Sequence, residues 1–329
     1  MSAEATIQIF SVNFNHVPML RANIELTRER NPNQPHHWHI ANNGGSRTAA
    51  EIAELADYDN VSVYDGAERE PNHRVVASLQ HATALNRIVH EHAGDSPILI
   101  VDPDFYIIRA DGLRECLTYM GDHELDFLGC PWNPYWRFKY RFFPTVHCCF
   151  IRQQRLTATD LDWCPGTFLA HPEEAPDFVV RFRRIPLFGQ LLRRLVYQIR
   201  NRTLIATDED TGYRIQRRYA SDPTIRSECF QSVFTRYQDY SRFHQYLDAI
   251  LPEHLAFAPK RPGYFTTEGF KSHGLPDMDK HSFEEFMFQG KPFGFHLHRF
   301  MLQFITDRPQ SVEIDQELEA ILKQFPAPS

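Results

Sequence analysis

The chain reads as an α/β domain with a mainly parallel central sheet flanked by helices. Three observations predict it. Short apolar segments alternate with segments of helical spacing through the first hundred residues. Those apolar segments run continuously rather than alternating with polar residues, which marks strands covered on both faces. Each also ends in a polar loop, as strands do where a parallel sheet opens towards a ligand.

IQIFSVNF, from Ile7 to Phe14, is a buried strand opening at Asn13 and Asn15. Val17, Leu20, Ile24 and Thr27 then fall at helical spacing. HWHIA (His37 to Ala41) is a short strand, NNGGS (Asn42 to Ser46) a turn, and a helix follows near Ala49 to Ala56. VSVY (Val61 to Tyr64) is a third strand, stopped by Asp65-Gly66. Val75, Leu79, Ala82 and Val89 mark a longer helix, and ILIV (Ile98 to Val101) is the fourth strand. The loops Asn13–Asn15, Asn42–Ser46, Asp65–Gly66 and Asp102–Asp104 therefore converge on one edge.

The middle is less regular. CPWNPYWRFKYRFFP, from Cys130 to Pro144, is crowded with aromatics and arginines; Trp132, Tyr135, Trp136 and Tyr140 suit either stacking on a ligand ring or a core. TVHCCFI (Thr145 to Ile151) reads as a strand, and Thr157 to Pro176 as loops. Val179 to Arg202 is basic, without an acidic residue, and Pro186 and Gly189 argue against one uninterrupted helix. Its arginines, interleaved with apolar residues, fit either a solvated face or lid, or peripheral contact with an anionic membrane or the phosphates of a lipid-linked molecule. PFGFHLHRF (Pro292 to Phe300) alternates as a strand with His296 and His298 on one face. About Val312 to Phe325 reads as a surface helix.

Composition excludes several classes. With 329 residues, 42% of them hydrophobic, the chain can bury a large core. A net charge of -7 and the absence of a basic tail argue against nucleic acid as partner. The first residues lack the pattern of a signal peptide, and no window holds the ~18 apolar residues of a spanning helix. The six cysteines form no CxxC pair, which fits a reducing cytoplasm. The expected organisation is one domain over residues 1–305 followed by a helical tail, 306–329. Residues 1–106 form its first half, and 107–305 its second half with the basic insertion 179–202.

VDPDF, with Asp102 and Asp104 two residues apart after a buried strand, is the central chemical signal. Carboxylates so placed can hold Mg²⁺ or Mn²⁺, which bind through one or two carboxylates plus substrate phosphates. The plain alternative is a solvated turn. The three neighbouring polar loops at the same edge favour the ligand reading.

The ordered set SVNFN, IANNGGS, VDPDFYI, DEDTGYRI and FHLHRF resembles a family 2 glycosyltransferase of the GT-A fold, the Rossmann-like nucleotide-diphospho-sugar transferase fold. In that family the first strand ends in a similar V-N-Y-N, the second in D-N-G-S, and the fourth in a metal-binding D-x-D. A later E-D or D-T-G supplies the base, and a histidine near the end of the core completes the metal site. The resemblance spans roughly residues 7 to 300, is strongest up to Tyr106, and is weak between Gly129 and Arg202.

Carried over, it implies a nucleotide-sugar site at Val12, Asn13, Asn15, Asn42, Asp65, His81 and Asp102. The backbone near Val12 and Asn13 would contact the base, and Asn42 stands where the family usually has a base-contacting aspartate; its amide can still accept from a pyrimidine N–H, and it can also donate. It implies a metal, Mn²⁺ or Mg²⁺, on Asp102 and Asp104 with His296 or His298. The base would be Asp210, with Asp208 and Glu209 competing; the alternative is that all three acids start a helix. His81 and Asn86 lie on the helix feeding the fourth strand; SLQH (Ser78 to His81) could place His81 near the donor, or His81 is a helix-packing or surface histidine. The implied activity is inverting transfer from a nucleotide-diphosphate sugar, UDP or dTDP favoured, to a saccharide or lipid-linked acceptor in surface polysaccharide or glycolipid synthesis. A nucleotidyltransferase is the second enzymatic reading, though NFNHVPM (Asn13 to Met19) lacks the glycine-rich basic loop that grips a triphosphate. A sugar-nucleotide-binding protein without catalysis is the third.

Overall fold

The computed structural model describes residues 5–14, 17–44, 48–66, 77–134, 136, 139–165, 210–235, 241–251, 256, 258, 261–281, 283–297 and 311–325. Asn15, Tyr135, Asp208, Glu209, His298 and the basic stretch 179–202 lie outside the described residues.

Two sheets organise the fold. The first contains β1 (Ile7–Asn13), β2 (His36–Asn42), β3 (Val61–Asp65), β4 (Ile98–Val101), β6 (Phe127–Gly129), β7 (Cys148–Ile151) and β8 (Ser227–Cys229). Its order is β3-β2-β1-β4-β7-β6-β8. β1, β2, β3 and β4 pair in parallel, as do β6 and β8. β7 is antiparallel to both β4 and β6, so it alone runs against the other six strands. The mainly parallel α/β architecture expected from the alternating pattern is present. One reversed strand is inserted between β4 and β6.

Both faces are covered. On β1, Ile7 and Ile9 join one apolar cluster while Phe10 and Val12 join the other. On β4, Leu99 and Val101 face the first cluster, Ile98 and Ile100 the second. This is why these strands read as continuous apolar runs. The first cluster is closed by α1 (Val17–Arg30), α2 (Ala49–Ala53) with the 3₁₀ turn Glu54–Asp57, and α4 (Gly112–Asp122). The second is closed by α3 (Ala77–His92) and α5 (Tyr213–Tyr219). The adjacent Cys148 and Cys149 are both buried thiols, one on each face of β7.

The second sheet was anticipated from the sequence only in its strand within Pro292 to Phe300. It is formed by β5 (Phe105–Ile107), β9 (Gln231–Val233), β10 (Phe265–Thr266), β11 (Phe283–Phe288) and β12 (Lys291–Leu297), ordered β10-β9-β11-β12-β5. Its strands are two to seven residues long. Such short segments leave little periodicity to read. A third apolar cluster joins this sheet to α1 and to α7 (Ser311–Leu322), with Met19 and Leu26 against Phe295, Leu318 and Ile321. One more helix, α6 (Arg242–Ile250), carries the exposed apolar residues Phe243, Tyr246 and Ile250.

β11 and β12 form a two-residue hairpin. Gln289 and Gly290 both have positive φ, 50° and 70°, as a type I′ turn requires. Arg109, just beyond β5, locks the hairpin end to the body. Its guanidinium donates to the carbonyls of Pro292 (3.0 Å), Phe288 (2.6 Å) and Lys291 (2.6 Å), and pairs with Glu115 on α4 at 3.1 Å. Removing this side chain strands carbonyls that depend on a charged donor, each worth about 1.5–3 kcal/mol. We expect Arg109→Ala to lower stability by about 3 kcal/mol in urea unfolding, and a loss below about 0.5 kcal/mol would contradict this role.

Candidate metal centre and its carboxylate neighbour

The site is assembled by strand register. The β4–β7 ladder pairs Val101 with Cys148. One step further, Asp102 and His147 emerge together, and the Asp102 N–H donates to the His147 carbonyl at 3.1 Å. Because β7 is reversed, its first residues lie at the edge where the parallel strands end. The Asp102–Asp104 turn then carries the chain from the first sheet into β5 of the second. There the β5–β12 ladder pairs Phe105 with His296, and the Leu297 N–H donates to the Asp104 carbonyl at 3.1 Å. From below, the buried Asn23 of α1 donates to the Asp102 carbonyl at 3.2 Å. Two ladders and one helix thus hold the turn.

The side chains converge accordingly. His147 Nε2 and His296 Nε2 are each 3.9 Å from Asp102 Oδ2. His296 Nε2 is 3.3 Å from Asp104 Oδ1. The two imidazoles stack with centroids 4.1 Å apart at 20°. Asp102, His147 and His296 offer ligand atoms all within 4.8 Å of one another, a group that could hold a metal ion. Separations near 3.9 Å exceed hydrogen-bond length but suit ligands sharing one ion at about 2.0–2.2 Å. The donor set, carboxylate oxygen plus imidazole nitrogen, is also metal-ligand chemistry.

Electrostatics show the cost of the arrangement. Burial, then the adjacent Asp104 charge, pushes Asp102 up to about 8; His296 pulls it back and Asp210 adds to the push. Burial alone would depress His296, but the Asp104 charge and hydrogen bond, with Asp102, carry it up to about 9. A bound divalent cation would relieve the carboxylate repulsion.

His147 was not among the residues read from the sequence. Its segment was identified as a strand, but nothing local marks that strand as the reversed one, so the residue just before β7 could not be assigned to the ligand edge. The aromatic stretch contributes Trp132, edge-on to His147 at 4.4 Å between centroids, and Lys139 over the Trp132 ring at 4.8 Å. Trp136 donates to Glu284 at 2.8 Å.

Of the nucleotide-sugar residues, Val12, His81 and Asp102 line one cavity of about 210 Å³, together with Phe14, Met19, Pro103 and Asp104. His81 Nε2 lies 3.8 Å from the other Asp102 oxygen, Oδ1. Burial depresses its pKa to about 4 against the opposing charges of Asp210 and Asp104, so it is neutral at pH 7. Asn13 and Asn42 close the neighbouring strand ends. Asn42 Oδ1 accepts from Asn13 Nδ2 (3.1 Å), the Gly44 N–H (3.1 Å) and Thr48 Oγ1 (3.0 Å). The Gly44 N–H can only donate, which fixes the amide orientation. The oxygen expected to meet a pyrimidine N–H is therefore saturated by internal donors. Asp65 is exposed at the end of β3, opposite Asn42 in the ladder.

Asp210 does not start a helix with its side chain. α5 begins at Tyr213, and Gly212, with φ 88°, makes the turn into it. The Asp210 carboxylate instead accepts from Ser78 Oγ (2.5 Å), Lys139 Nζ (2.6 Å) and the Thr211 N–H (2.9 Å). Burial would raise its pKa, but Lys139, Ser78 and the Thr211 amide outweigh that and hold it ionised below the usual range.

A clasp fixes this turn. Asn86 of α3 accepts from the Trp163 N–H at 2.8 Å and donates to Asp162 Oδ1 at 3.2 Å. Asp162 Oδ2 takes Arg214 Nη1 at 2.8 Å, while the Gly212 N–H donates to the Trp163 carbonyl at 2.7 Å. Asn86, read from the sequence only as a helix residue, so couples α3 to the Asp210 turn.

Comparisons with known proteins add little beyond this. No family model matches the chain, and no curated protein matches it. Among solved structures, partial likeness is found to glycosyltransferases. The mannosyltransferase PcManGT of Pyrobaculum calidifontis, in complex with GDP-Man and Mn²⁺, is 12% identical with a TM-score of 0.36, over 46% of this chain and 46% of that one. TarS (1–349) of S. aureus is 12% identical, TM-score 0.33, over 44% and 47%. The galactosyltransferase LgtC, in complex with donor and acceptor sugar analogues, is 14% identical, TM-score 0.32, over 47% and 62%. The match spans less than two thirds of each of those chains. Among the described residues no helix is long and apolar enough to cross a membrane.

Asp162 supplies a pH test of the clasp. Burial works against its ionisation, but Arg214, the Cys164 amide and Asn86 lower its pKa from 3.8 to about 2. A depressed folded pKa stabilises fully above the unfolded value, and that contribution is lost as pH falls from about 4 towards 2. The stability difference between wild type and Asp162→Asn should therefore be largest above pH ~5 and shrink on acidification. Urea midpoints measured across pH would show a constant difference if the carboxylate contributed nothing as an ion.

Proposed function

We propose that this protein is a metal-dependent glycosyltransferase of the GT-A type, similar to family 2. It would move a sugar with inversion from a nucleotide-diphosphate donor, UDP or dTDP favoured, to a hydroxyl of a saccharide or lipid-linked acceptor. The observation carrying this reading is the convergence, at one edge of the parallel strands, of a metal-capable cluster, a lined cavity and an ionised carboxylate on a rigid turn. Surface polysaccharide or glycolipid synthesis is the proposed setting, with residues 1–106 serving the donor and 107–305 the acceptor.

In this reading Asp102, Asp104 and His296 hold the ion. When bound, it supplies the positive charge that neutralises the leaving diphosphate. Val12 and Phe14 wall the donor cavity, and neutral His81 presents a ring nitrogen without adding charge. Asp210 takes the proton from the acceptor hydroxyl. For that it must exchange Lys139 for the hydroxyl, and Lys139 is then able to face a phosphate oxygen. Since Asn42 Oδ1 is saturated, base selection falls to backbone groups near Val12 and Asn13.

The Lys139–Asp210 pair also favours a second reading, a nucleotide-sugar-binding protein without catalysis in which Asp210 is only an anchor. Calorimetric titration of UDP, dTDP and GDP, with and without Mn²⁺, tests the site. One diphosphate should bind with a metal requirement, and Asp104→Ala should weaken it by about tenfold or more. No metal-dependent binding of any of them would exclude the glycosyltransferase reading.

Hydrolysis or transfer of the matching sugar nucleotide tests the base. Asp210→Asn should lower kcat by about 10²–10⁴ while leaving diphosphate affinity within about threefold. Intact binding with no turnover in the wild type would favour the binding protein.

A further inference from the structure

The metal-capable group contains a residue that the diphosphate chemistry alone does not require. Mg²⁺ takes oxygen ligands and gains little from imidazole, whereas Co²⁺, Ni²⁺ and Zn²⁺ are well served by it. Here two imidazoles, from different sheets, bring Nε2 to the same distance, 3.9 Å, from a single carboxylate oxygen. Each is placed by backbone pairing next to the carboxylate turn: His147 beside Asp102, His296 opposite Phe105. Both rings are largely buried, 7% and 13% exposed at the side chain, so neither is a surface group meeting the pair by chance. Trp132 packs on His147 in a T-shaped contact, with ring centroids 4.4 Å apart. One histidine is what the resemblance implies for a Mn²⁺ or Mg²⁺ site; a second imidazole adds a nitrogen donor of the kind that favours Co²⁺, Ni²⁺ and Zn²⁺.

From this we infer that His147 is a ligand, and that with His296 it makes the Asp102 centre selective for an imidazole-preferring divalent ion of the Co²⁺–Zn²⁺ class. Mn²⁺ binds more weakly and Mg²⁺ most weakly. The inference rests on the reading of Asp102 as a metal ligand, and deepens it by naming the ion class and the residue that sets it. His81, on the opposite oxygen of Asp102, is left to the donor cavity and does not count towards the set.

The test uses the metals alone, without nucleotide, on the full chain. Affinities of Mg²⁺, Mn²⁺, Co²⁺ and Zn²⁺ are measured by calorimetry or competition, and the visible spectrum of the Co²⁺ form is recorded. Wild type should bind Co²⁺ and Zn²⁺ at least about tenfold more tightly than Mg²⁺. His147→Ala should weaken Co²⁺ by about 10–100-fold, alter its visible bands and leave Mg²⁺ within about twofold. His147→Asp, a second variant that keeps a ligand but changes its class, should shift the preference towards Mn²⁺ and Mg²⁺. Thermal unfolding of each variant without metal checks that the fold is kept. Equal affinities for Co²⁺ and Mg²⁺ in wild type, or Co²⁺ affinity and spectrum unchanged in His147→Ala, would overturn the inference while leaving a metal site standing. No binding of any ion to wild type, or binding unaffected by Asp102→Asn, would remove the metal reading itself and the inference with it.

Discussion

The turn from Val101 through Asp104 is where the chain leaves one sheet and enters another, and the site depends on its being held from both sides. Its amide and carbonyl groups are spoken for by β7, by β12 and by Asn23 of α1. These bonds place Asp102 and Asp104 in a part-buried position where two carboxylates resist ionising together. The same pairings deliver His147 and His296. The backbone order that stabilises the turn is thus the order that supplies compensating ligands, and a one-residue slip in either ladder would turn its histidine to the opposite face.

The reversed strand has a chemical consequence. In an all-parallel sheet the strand beside β4 would bring its carboxyl end to the ligand edge. By running the other way, β7 brings its beginning, preceded by the aromatic segment that carries Trp132 and Lys139. That segment links the two chemical groups of the site. Trp132 packs on His147, and Lys139 lies over Trp132 while pairing with Asp210. The metal-capable cluster and the proposed base are therefore neighbours through one short stretch of chain. Their charges bear on each other, since Asp210 raises the pKa values of both Asp102 and His81.

Asn42 shows what the structure adds to a position picked out by resemblance. Its place at the end of β2 matches an aspartate that contacts the base, yet its oxygen is saturated by Asn13, Gly44 and Thr48. The result is a rigid junction between the ends of β1 and β2. Asp210 is a second such position. A local reading allowed a helix start, and the structure instead gives its carboxylate three donors, two from remote segments and one from the next amide.

What the sequence determined by itself was the α/β alternation, the first four strands, and the arrival of Asp102 and Asp104 at their ligand edge. Those features rest on local patterns: continuous apolar runs, helical spacing, and polar residues where strands stop. Tertiary structure alone decided the second sheet, the direction of β7, the entry of His147, and the clasp of Asn86, Asp162 and Arg214. Each of these depends on pairing between segments far apart in the chain. A strand such as TVHCCFI carries the same apolar signal in either direction. Only its register against ILIV settles which end, and so which histidine, meets the carboxylates.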